Sequence, residues 1–145
     1  MEARHEVLLG FDFGLKRIGV AVGQSISRTA SPLTILAAQE GIPDWNEIGR
    51  LIETWQVDAL VVGIPYQVDD SEQAMTLAAR KFVGRLRARF QLPVYEADER
   101  FTSIDAKSRI LSEQRVTDKK PTTTKGRVVV DHYAAQLILE DWLRK

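Results

Sequence analysis

The stretch LLGFDFGLKRIGVAVG, residues 8–23, decides how this chain is built. Two apolar runs flank a connection that has Gly14 at one end and Gly19 at the other. Side chains alternate across a strand, so Val7, Leu9, Phe11 and Phe13 share one face and Leu8, Gly10 and Asp12 share the other. Residues 18–22 form the returning strand, and the pattern predicts a β-hairpin. Asp12 stands out, because a carboxylate between two phenylalanines of a strand is expensive to keep. Its ordinary explanation is a turn-entry aspartate bonding backbone amides ahead of Gly14.

Outward from the hairpin, PLTILAA (32–38) reads as a third strand. PDWNEIGRLIETW (43–55) starts a helix, with Asp44 and Glu47 spaced as a capping box and apolar residues at helical intervals. DALVVGIP (58–65) lacks alternation, as a strand buried on both faces does. Ser71 opens a long helix whose stripe includes Met75, Ala79, Phe82, Leu86 and Phe90. LPVYEA (92–97) is the fifth strand, and a further helix is expected over 98–111, with Thr102 and Asp105 at capping-box spacing. RVTDKKPTTTKGR (115–127) has no apolar period and reads as a polar loop, and the last helix runs from about Val128 to Leu143. The order predicts one α/β domain over 1–145. Its mixed five-stranded sheet is antiparallel at first and then parallel, with helices on both faces.

Composition narrows the classes. The 145 residues are 44% hydrophobic, enough for one real core. With no cysteine there is neither a disulfide scaffold nor a thiolate metal site, which agrees with a cytoplasmic protein. No apolar run approaches the roughly 20 residues needed to span a bilayer. MEARHEVLLG does not read as a secretory leader. Twenty basic and twenty acidic residues cancel, so any nucleic-acid binding must come from local clusters.

Three acids occupy places that structure alone explains poorly. Asp12 is the first. Glu99 follows the fifth strand, at the end where open α/β sheets place ligands; it could equally pair with Arg100 or serve a helix dipole. Asp131 shares a helix face with Ala134, Ala135, Ile138 and Trp142, while His132, Gln136 and Glu140 mark a polar face. A helix dipole favours an acid in the first turn but does not choose its face. Carboxylates gathered at one sheet edge would repel one another, and a divalent cation removes the conflict. Oxygen ligands without a Cys or a His pair select Mg²⁺ or Mn²⁺, and such sites suit phosphodiester hydrolysis. The two histidines, His5 and His132, read as solvated residues.

Basic residues near these acids are candidates for phosphate contacts. Lys16 and Arg17 follow Asp12 closely, and Lys119, Lys120, Lys125 and Arg127 precede Asp131. Arg100 could hold Glu99 or bind phosphate. The cluster Arg80, Lys81, Arg85, Arg87 and Arg89 could also meet phosphates, although a solvated helix face is its simpler reading.

FDFGLKRIGVAVG (11–23), VVGIP (61–65), DERFTS (98–103) and DHYAAQLILEDWL (131–143) together resemble the YqgF (RuvX) family of ribonuclease-H-like proteins. The likeness runs in order along nearly the whole chain and includes the PDW and DSEQA helix starts. It implies a ribonuclease-H-like fold and a nuclease for the 5′ end of precursor 16S ribosomal RNA, with pre-ribosomal particles as a partner. It also implies Holliday-junction resolution as an alternative, on branched DNA. The family's acidic positions fall on Asp12, Glu99 and Asp131. The chain departs from the family pattern at Leu15, at His132 and in a less basic loop before the last helix. A non-catalytic ribosome-assembly factor is the competing class. Asp-x-Gly followed by basic residues also resembles an ATP-binding phosphate motif, but that architecture needs two such domains. The chain could act as a monomer or a homodimer, and symmetric junction cleavage requires two active sites.

Overall fold

A computed structural model of the chain describes residues 6–65, 74–98 and 123–145, with side chains of the last helix from Tyr133 onward. The hairpin forms as its alternation predicts. Strand β1 (Val7–Asp12) pairs antiparallel with β2 (Arg17–Gln24), from Val7 opposite Gln24 to Asp12 opposite Gly19. Strand β3 (Thr29–Gln39) extends the meander on the far side of β2 and is longer than the expected 32–38. It ends in a tight corner with β4 (Ile42–Pro43), a two-residue strand too short to carry a pattern. Among the described residues the sheet therefore has six strands, the expected five plus β4, in the order β4-β3-β2-β1-β5-β6.

Parallel pairing needs a crossover, and helices supply it. Helix α1 (Trp45–Trp55) leads from β4 to β5 (Ala59–Ile64), which lies parallel to β1. Asp44 caps α1, its carboxylate accepting from Asn46 N at 2.9 Å. The Asp58 carboxylate accepts from Val7 N at 2.9 Å, which ties the start of β5 to the start of β1. Helix α2 (Ala74–Phe90) then leads to β6 (Val94–Asp98), parallel to β5. Helix α3 (Thr123–Leu143) closes the fold. It starts about one turn before the expected Val128, so Lys125 and Arg127 belong to a helix and not to a loop. Its opening residues, TTKGR, include no apolar side chain, but extending an existing helix adds one hydrogen bond per residue without a new nucleus. Asp98, the first residue of the predicted helix over 98–111, ends β6; the rest of that helix and the Ser71 helix start lie outside the described residues.

The two sheet faces differ in bulk. Helices α1 and α2 cover the face of Leu9, Phe11, Ile18, Leu60 and Val62. There the Phe82 ring meets Phe11 at 5.5 Å, Phe13 at 5.2 Å and Trp45 at 5.9 Å. Helix α3 covers the other face, where Ala135, Ile138 and Leu139 pack on Leu8, Ala21, Ala30, Ala59 and Val61. The side chains there are small, and the helix sits close. A Cβ at Gly10 would lie 2.7 Å from Leu139 Cβ and 3.3 Å from Ala135 O. Gln136 and Glu140 do not simply face solvent. Gln136 donates to Ala30 O at 3.0 Å, and Glu140 accepts from Ala30 N at 3.1 Å. Among the described residues no helix is long and apolar enough to cross a membrane.

Candidate active site

Asp12 is the last residue of β1 and is only 9% exposed. It shares the α3 face of the sheet with Leu8 and Gly10, while Phe11 and Phe13 face the aromatic cluster. The register decides what lies beside it. Asp12 is opposite Gly19 on β2 and opposite Gly63 on β5, and Gly63 is opposite Ala97 on β6. Residues in one row across a sheet share a face. The carboxylate is therefore flanked on both sides by positions without side chains, a bare lane at the carboxyl edge of the parallel strands. Glycine within a strand weakens it and often marks a place where a ligand comes close. That signal is present in GVAVG and VVGIP, but the sequence does not reveal which residue the glycines flank.

The β1–β2 turn that follows is held firmly. A side chain at Gly14 would run into the Arg17 carbonyl oxygen, so the turn requires glycine. The Leu15 carbonyl accepts from Gly41 N at 2.8 Å and the Lys16 carbonyl from Ala38 N at 2.9 Å. These bonds dock the turn on the β3–β4 corner. Lys16 is exposed on it, and Arg17 is partly exposed. Arg17 stands on β2 two residues before Gly19, and alternation gives it the sheet face of Asp12.

The other predicted site residues divide as follows. Asp131, Lys125 and Arg127 lie on α3, and their side chains are outside the described residues, as is that of His132. Glu99 follows β6 directly in sequence; with Arg100, Lys119, Lys120 and His5 it is outside the described residues. Among the described residues no group of three potential metal ligands occurs, and Asp12 is the one predicted ligand whose side chain is described. Its hard carboxylate oxygens, nearly buried beside a lane without side chains, suit Mg²⁺ or Mn²⁺.

Comparison with known proteins decides the family. The profile of the RuvX family, described as Holliday junction resolvase, matches residues 6–145. The chain belongs to the RuvX family. A relative from Coxiella burnetii (strain Dugway 5J108-111), named "Putative pre-16S rRNA nuclease", is 53% identical over 145 residues, covering 100% of this chain and 97% of the relative. One of the same name from Hydrogenovibrio crunogenus is 49% identical over 137 residues, covering 94% of this RuvX chain and 92% of the relative. Two solved structures share the fold. The fowlpox virus resolvase with Holliday junction DNA has a TM-score of 0.53 at 16% identity, covering 96% of this chain and 99% of that one. Thermus thermophilus RuvC with a Holliday junction substrate has a TM-score of 0.51 at 17% identity, covering 96% and 94%. The ribonuclease-H-like resolvase fold expected for this RuvX chain is thus the fold observed.

Proposed function

We infer that this RuvX chain is a nuclease that hydrolyses a phosphodiester bond at the 5′ end of precursor 16S ribosomal RNA, in the cytoplasm and on pre-ribosomal particles. The observation that carries the reading is Asp12, a nearly buried carboxylate in a glycine-flanked lane at the carboxyl edge of the sheet. The register of α3 supports a role for Asp131. Leu143 and Leu139 approach Gly23, and Leu139 and Ala135 approach Gly10. Four residues of helix advance about 6 Å, close to the advance of two strand residues. The line 143, 139, 135 continues through position 131, and the line 8, 10 along β1 continues to Asp12.

Asp12, Glu99 and Asp131 would hold one or two Mg²⁺ or Mn²⁺ ions, which when bound activate water and stabilise the leaving oxygen. Lys16 on the docked turn and Arg17 at the start of β2 would neutralise phosphates next to the cleaved bond. Arg100, Lys119, Lys120, Lys125 and Arg127 are further candidates for this work. Gly19 and Gly63 add no side chain beside the Asp12 carboxylate.

The test is cleavage of 5′-labelled precursor 16S RNA with Mg²⁺ or Mn²⁺, comparing the wild type with Asp12→Asn. The variant should lose at least about a hundredfold in rate, about 2.7 kcal/mol of barrier, while its unfolding transition is kept. Unchanged metal-dependent cleavage by Asp12→Asn would falsify the reading. Resolution of four-way DNA junctions is the second reading, favoured by the description of the matched family. A synthetic four-way junction in the same assay separates the two. A preference for it, together with a stable homodimer, would move the substrate from RNA to branched DNA.

A further inference from the structure

Helix α2 carries five cations between residues 80 and 89, and the structure divides them. Arg80 meets Glu96 at 4.0 Å, Arg87 donates to Val94 O at 2.8 Å, and the Arg89 guanidinium lies 4.5 Å from the centre of the Trp45 ring. These three are occupied in holding α2 to β6 and α1. Lys81 and Arg85 are not. Among the described residues neither makes an ion pair, and both are exposed, one helical turn apart. They line a groove of about 320 Å³ with Phe13, Glu40, Leu77 and Ala78. Glu40, on the β3–β4 corner, is the one acid among these lining residues, and the two cations outweigh it. Leu77 is 50% exposed there, a large apolar side chain left facing the groove.

The groove is close to the proposed active site. Phe13 in its wall is the next residue after Asp12, and strand alternation sends the two to opposite sides of the sheet. The Thr76 hydroxyl, fully buried, donates to the Pro65 carbonyl oxygen, which fixes the start of α2 at the end of β5, the strand beside Asp12. The β1–β2 turn, with exposed Lys16, follows Asp12 and Phe13 directly in the chain. Lys81 and Arg85 thus form a short track along α2, about 6 Å apart along the axis.

We propose that this groove binds the sugar–phosphate backbone of the substrate strand a few nucleotides from the bond cut at Asp12, with Lys81 and Arg85 on successive phosphates and Leu77 against a sugar. The proposal rests on the nuclease reading above. Its test is binding of precursor 16S RNA, by fluorescence anisotropy over a range of salt, in the cleavage-defective Asp12→Asn background. Each phosphate contact on a single strand contributes about 0.7 to the slope of log K against log salt. Adding Lys81→Gln and Arg85→Gln together should lower the slope by about 1.4, and each alone by about 0.7. Arg80→Gln removes the same charge from the same helix outside the groove and should leave the slope unchanged. The single variants serve if thermal unfolding shows the combined one to be unfolded. An unchanged slope overturns the proposal, and so does an equal fall with Arg80→Gln. If wild-type protein cleaves RNA while the groove variants keep the full slope, the groove alone fails. If wild-type protein neither binds nor cleaves RNA, both readings fail.

Discussion

Gly19 and Gly63 sit in the same row as Asp12, one on each neighbouring strand. A strand gains nothing from glycine: it packs no side chain and loses more backbone entropy on folding. Valine at position 63 would satisfy strand propensity, whose full range is only about 1 kcal/mol. Gly63 is buried, however, so Gly63→Val should lower stability by about 1–3 kcal/mol, the cost of overpacking an interior, read as a fall in the urea midpoint. It should also place a branched side chain in the lane and reduce RNA cleavage about tenfold or more, a barrier change of about 1.4 kcal/mol. A folded variant with undiminished cleavage would show that substrate does not approach there. Asp12 itself was legible in the sequence, because an acid in an apolar alternation is anomalous wherever it occurs. Its surroundings were not, because they depend on the register of strands far apart in the chain.

Among the elements, α3 is fixed by chemistry that its apolar stripe does not reveal. Gln136 and Glu140 take both backbone groups of Ala30 on β3, a residue whose own side chain is buried. A hydrogen bond to a charged group contributes about 1.5–3 kcal/mol, and removing it strands a partner. Glu140→Ala should lower stability by that amount, read as a fall in the urea midpoint at constant slope. Gln136→Ala should cost less, about 1 kcal/mol, because its bond is neutral. No change in midpoint for Glu140→Ala would mean that the Ala30 amide is satisfied equally well by water.

This pairing explains where the sequence reading of elements succeeded and where it stopped. Strands β1, β2 and β5 and helix α1 follow from patterns within single segments. The polar side of α3 looks solvent-facing because its partner, Ala30, is more than a hundred residues away. Strand β4 was missed because two residues carry no period, and the first turn of α3 because the stretch TTKGR contains no apolar residue.

For the molecule as a whole, the proposed metal site should not be needed for folding. The aromatic cluster around Phe82 and the α3 seat on small residues close the fold without it. A ligand that binds only the folded state still adds stability, about 2.7 kcal/mol at a hundred times its Kd. Mg²⁺ or Mn²⁺ should accordingly raise the Tm of the wild type, and Asp12→Asn should lose most of that rise. EDTA should stop cleavage without unfolding the chain. Equal metal-induced shifts in both proteins would place the ion elsewhere.

The two layers were predictable in outline from the hairpin's alternation and the later helix–strand order. Their unequal bulk was not, since it depends on which small residues meet across the sheet.

Phe13 and Asp12 are neighbours in the chain and point through the sheet in opposite directions. The chain between them joins the aromatic cluster on one face to the proposed site on the other. The Phe82 ring packs on both Phe11 and Phe13, the residues on either side of Asp12 in the chain. Catalytic precision in this protein would then be maintained from behind, by rings that never meet the substrate.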